Sequence, residues 1–100
     1  MNYRLILHPT AQEEYERSVE WYKERSDQAT EDFVEAVSKA IKLICENPFR
    51  WKIEYKHYRV LGLKKFPHTI VYFIDNSANE IIISAIYHQK RSPKKKFRKL

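Results

Sequence analysis

One hundred residues, 43% hydrophobic and 32% charged, suffice for one domain with a single modest core and argue against a disordered or membrane-embedded chain. The net charge of +6 is unevenly placed: residues 89–100 hold seven cations and no acid, against 12 cations and 13 acids in residues 1–88. A near-neutral body with a basic appendage points to a polyanionic neighbour, either nucleic acid or an acidic protein.

Tyr3-Arg4-Leu5-Ile6-Leu7-His8 reads as a short strand that Pro9 ends. Thr10-Ala11-Gln12-Glu13 has the form of a capping box, which predicts a helix over 10–25. Ala11, Tyr15, Val19 and Tyr22 recur at helical spacing, with Ser18 among them and glutamates on the other side. Trp21 falls off that stripe and is expected at a helix edge or facing a partner. After the polar break at Arg25–Gln28, the positions Ala29, Phe33, Ala36, Val37, Ala40, Ile41 and Ile44 predict a second, antiparallel helix that Asn47-Pro48 stops. Cys45 lies within this apolar pattern as a small core or boundary residue. A single cysteine excludes an internal disulfide and fits a reducing cytosol. With no apolar leader and no run near the roughly 18 residues of a membrane span, a cytoplasmic protein is expected.

The connector Phe49–His57 is aromatic and basic with poor periodicity, a loop with strand at its end. Three runs rich in β-branched and aromatic residues follow, at Tyr58–Leu63, Lys64–Asp75 and Glu80–Pro93, and predict an antiparallel meander. The fold class is therefore α+β: a strand, a helical hairpin, then a three-stranded sheet. Both faces of the middle strand are apolar, so the hairpin is expected to cover one and leave the other partly open. Residues 1–93 form the domain, and 94–100 a basic tail too short for an isolated helix.

Four phrases in order resemble the RelE/ParE superfamily of type II toxin–antitoxin toxins: Asn47-Pro48-Phe49-Arg50-Trp51, Tyr58-Arg59-Val60-Leu61, Phe66-Pro67-His68-Thr69-Ile70-Val71-Tyr72, and Ala85-Ile86-Tyr87-His88-Gln89-Lys90-Arg91-Ser92-Pro93. The resemblance implies a toxin neutralised by a cognate antitoxin in a hetero-oligomer. It also implies one of two targets: DNA gyrase, bound and stalled by the ParE-like branch, or mRNA, cleaved on the ribosome by the RelE-like branch. A degenerate toxin that only binds antitoxin is a third reading.

Metal-free RNA cleavage needs a proton acceptor, a proton donor and cations for the phosphorane. In the RelE-like branch an arginine usually stands where this chain has Thr69. A second strand cation is replaced by Leu61, and the late tyrosine is missing from Lys94–Phe97. The set left for a nuclease is Arg59, His88 and Arg91, with His68 beside them, because His transfers protons near neutrality and Arg binds phosphate. Those departures place the ParE-like reading first. For target or antitoxin binding the candidates are Trp51, Lys64, Lys65, Arg91, Lys94, Lys95, Lys96 and Arg98. An acidic, amphipathic antitoxin segment is expected on the open sheet face and the basic exit. No glycine-rich phosphate loop and no zinc-ligand spacing occur, so neither a metal nor a cofactor is expected.

Overall fold

The computed structural model describes residues 3–90. Strand β1 (Arg4–Leu7) leads into helices α1 (Pro9–Lys23) and α2 (Asp27–Glu46), followed by β2 (Ile53–Tyr55), β3 (Tyr58–Gly62), β4 (His68–Asp75) and β5 (Glu80–His88). The α+β reading holds, with a mixed five-stranded sheet in the order β1-β5-β4-β3-β2. The meander has one strand more than the three-run pattern implied: the connector's end pairs with β3 as β2, with an irregular register between Ile53 and Tyr55. β1 joins the opposite side, parallel to β5, a pairing between chain ends that no local pattern encodes.

Helix α1 starts one residue before the capping box. His8 is the N-cap, its Nδ1 accepting from Thr10 N at 3.2 Å, and Pro9 occupies the first turn. Proline lacks the N–H that this position would leave unbonded, and its fixed φ suits a helix start. Ser26 caps α2 by accepting from Ala29 N at 3.1 Å, and Asn47 ends it ahead of Pro48. Phe33, Val37, Ala40 and Ile44 form the buried stripe of α2. They pack with Ala11, Ile70, Tyr72, Ile81, Ile83 and Ile86 as the main core between helices and sheet.

The reverse face is more closed than alternation implied. Tyr58, Val71, Ala85 and Tyr87 are buried there, with Val60 and Phe73 half-buried beside them. Tyr58 meets the edge of Phe73 at 5.7 Å and stacks with His57 at 4.5 Å, so the aromatic side chains of this face close over one another. The switch of face along β5 comes from a bulge: Val71 pairs with Ala85 but Tyr72 with Ile83, leaving Ser84 as the extra residue. Ile81, Ile83 and Ile86 thereby all reach the main core although their spacing breaks a strict two-residue period. Ser84 Oγ donates to the Val71 carbonyl at 3.3 Å.

Candidate functional site

The residues singled out for chemistry fall into two groups set by strand register. His68 and His88 are direct partners across β4 and β5, while Arg59 on β3 stands opposite Tyr72. The two levels lie four positions apart along β4, about 13 Å at the usual strand rise. Arg91 lies outside the described residues, as do Lys94, Lys95, Lys96 and Arg98. Among the described candidates, His68 and His88 are thus brought together and Arg59 is set apart from them.

At the exit end of the sheet, Ser18, Trp21 and Tyr22 of α1 line a recess of about 90 Å³ with Pro67, His68 and His88. His68 is 2% exposed, its Nε2 3.1 Å from Ser18 Oγ and its ring 4.8 Å from Phe33 and 5.1 Å from His88. It is built into the core although it follows Pro67 at the start of β4. His88 is half-buried, and its Nδ1 accepts from Lys90 N at 3.1 Å. In the neutral ring the proton therefore sits on Nε2, which makes that atom a donor. Thr69 is buried, and its Oγ1 accepts from Gln89 Nε2 at 3.0 Å. Lys64 and Lys65 are exposed in the turn at this same end, where Leu63 N donates to His68 O.

At the other level, Arg59 is engaged with the connector. Its Nη1 donates to the Trp51 carbonyl at 2.6 Å and to that of Phe49 at 3.4 Å, and its guanidinium lies 5.3 Å from the Phe49 ring centre. Trp51 is half-buried against the main core and carries Arg50 over its ring at 5.0 Å. Such exposed cation–ring pairs contribute about 0.5–1 kcal/mol each. Nearby, Tyr72 Oη donates to the Pro48 carbonyl at 2.6 Å. Burial pushes the Tyr72 phenol up to about 12, with the Arg59 charge pulling weakly the other way. Burial also raises the Cys45 thiol above its ordinary value, which suits a boundary residue rather than a nucleophile.

Sequence reasoning passed over two contacts. Ser18, a polar residue inside an apolar stripe, had a partner to find and finds it in His68. Glu14 reaches across to accept from Ile86 N at 3.0 Å, where β1 is too short to serve the β5 edge. Ser18's position was a usable signal; Glu14 looked like its solvated neighbours. Trp21 bridges the recess and the outer face of α1, with the Arg25 guanidinium 3.7 Å from its ring centre. Among the described residues no cluster of three or more His, Cys, Asp or Glu could hold a metal ion, and no helix is long and apolar enough to cross a membrane.

The family model for the ParE toxin of the type II toxin–antitoxin system, parDE, matches residues 5–93. A solved structure described as the chromosomal ParDE TA system from P. aeruginosa aligns with a TM-score of 0.73, covering 86% of this chain and 95% of that one at 16% identity. At that identity the likeness speaks for the fold alone. A comparison with curated protein sequences finds no match.

Proposed function

The chain belongs to the ParE toxin family of type II toxin–antitoxin systems, and from that premise we propose that it arrests growth by binding DNA gyrase and is neutralised by a cognate antitoxin. The observation that carries the choice of target is the engagement of Arg59: its guanidinium is committed to the Trp51 and Phe49 carbonyls. An arginine that braces the connector is not available to stabilise a phosphorane near His88, four β4 positions away. Thr69, where a nuclease would carry a cation, is buried and bonded to Gln89. Binding by surface side chains needs no such constellation, and the aromatic connector has the Trp, Tyr and Arg composition that dominates interface energetics.

The antitoxin contact follows from charge. An acidic, amphipathic segment would meet the cations Arg91, Lys94, Lys95, Lys96 and Arg98. With Tyr58, Val71, Ala85 and Tyr87 buried, the reverse sheet face is a poorer landing place than alternation implied. Ribosome-dependent mRNA cleavage remains the second reading, and the adjacent His68 and His88 rings are the feature that favours it. Purified protein added to gyrase supercoiling reactions and, separately, to programmed ribosomes tests the choice. Loss of supercoiling with intact mRNA supports gyrase binding; codon-positioned cuts with normal supercoiling reverse it.

A further inference from the structure

The connector sets its aromatic rings beside cations along one extended segment. Three of its aromatic rings each have a cation over the face: Arg59 with Phe49 at 5.3 Å, Arg50 with Trp51 at 5.0 Å, and Lys56 with Tyr55 at 5.4 Å. Phe49 and Tyr55 are each 45% exposed. Arg50, Lys52, Lys56 and His57 also stand exposed on this segment, against one acid, Glu54. The segment runs into β2, the outer strand of the sheet, so one side of it faces no other strand. The tight turn at Lys56, with φ of 51°, presents that lysine next to the Tyr55 ring.

An exposed ring with cations close by suits a nucleotide: the base stacks on the ring, and the phosphate meets the exposed Arg50, Lys52 or Lys56, since Arg59 is held by the Trp51 and Phe49 carbonyls. Repetition of that unit along an extended segment suits a chain of nucleotides whose bases are unpaired and free to stack. A duplex hides its base faces and would use only the cations. An acidic peptide would likewise satisfy the cations and bring no flat group to the rings.

We propose that residues 49–57 form a binding strip for single-stranded DNA, with Phe49 and Tyr55 as stacking platforms and Arg50, Lys52 and Lys56 as phosphate contacts. The choice of DNA over RNA rests on the gyrase reading, which brings the chain to a target working on DNA. The strip itself rests on the geometry above.

The test is fluorescence anisotropy of labelled oligothymidylate with the full-length protein, without gyrase, over a range of salt. Phe49→Ala and Tyr55→Ala are each expected to weaken binding about tenfold while leaving its salt dependence unchanged. Lys52→Gln with Lys56→Gln is expected to flatten the plot of log K against log salt by about 1.4, or about 0.7 per lost phosphate contact on a single strand. The basic tail is the same in every variant. If it alone binds DNA, the ring variants match the wild type, and the proposal is overturned. Equal competition by polyglutamate, or a preference for oligouridylate, also overturns it. Phe49→Leu and Tyr55→Leu keep the bulk without the π face and should show the same loss, which protects the test against misfolding of the alanine variants. Ring variants that lose DNA binding yet inhibit gyrase support the strip and separate it from gyrase contact. Ring-dependent DNA binding without gyrase inhibition supports the strip and removes the gyrase reading.

Discussion

Tyr72 concentrates the chemistry of the interior in one residue. It is fully buried, hydrogen-bonded to the Pro48 carbonyl, and opposite Arg59 in the sheet register. Its phenol is raised from 10.0 to about 12, so on raising the pH the unfolded chain gives up this proton before the folded one does. Stability from this group is complete below the unfolded value and is lost as pH climbs from 10.0 towards 12. That slope amounts to about 2–3 kcal/mol over the interval. Tyr72→Phe should remove it and cost about 1 kcal/mol at neutral pH for the lost hydrogen bond, as measured by urea unfolding across pH. Glu14→Ala makes a second residue-scale prediction. It strips the acceptor from Ile86 N and should lower stability by about 1–3 kcal/mol, with faster hydrogen exchange at Ile86. Neither role was legible beforehand. Tyr72 read only as one apolar position of a strand, and Glu14 as one glutamate among several, because both depend on a partner distant in sequence.

At the scale of elements, the strands, helices and their order were legible because each carries its own period. α2 shows its stripe from Phe33 to Ile44, and the meander shows its β-branched runs. What local reading could not supply was the alignment between elements. The bulge at Ser84 puts Ile83 and Ile86 on one face and Ala85 and Tyr87 on the other, against the two-residue period. Deleting Ser84 should therefore remove the bulge while keeping Ile83 opposite Tyr72 and Ala85 opposite Val71, so every later side chain stays on its face and thermal unfolding should remain cooperative. Gly62 ends β3 with nothing within 4 Å of where a Cβ would stand, and it does not have a positive φ. Gly62→Ala should be neutral or stabilise by up to about 1 kcal/mol, seen as an unchanged or raised melting temperature. The connector was the least legible element. β2 is short and irregularly paired, and Arg59 holds the segment before it through backbone carbonyls, a contact that leaves no mark on side-chain pattern.

Across the whole molecule, the sheet separates two working ends. One holds the histidine recess against α1 and leads to the basic exit; the other holds Arg59, Trp51 and the aromatic edge. This separation matters for function, because a nuclease would need cations and proton carriers within contact of one phosphate, whereas a protein that clamps a target profits from contacts spread over its length. Charge is as unevenly placed along the chain: residues 1–88 are nearly balanced, and seven cations fall in residues 89–100. The family was legible from phrases spread along the chain. The candidate site was legible only in part: residue type picked out Arg59 and His88 as groups a nuclease could use, but not the register that sets them four β4 positions apart. Action on gyrase, as proposed for this ParE-family chain, leaves a product that can be seen directly. Its most direct test is to incubate gyrase and plasmid with the purified protein, denature the reaction, and look for linear DNA left by trapped cleavage complexes. Linear DNA is expected to rise with added protein and to fall again when the cognate antitoxin is supplied. Unbroken plasmid with full supercoiling, together with codon-positioned cuts in mRNA on programmed ribosomes, would contradict it.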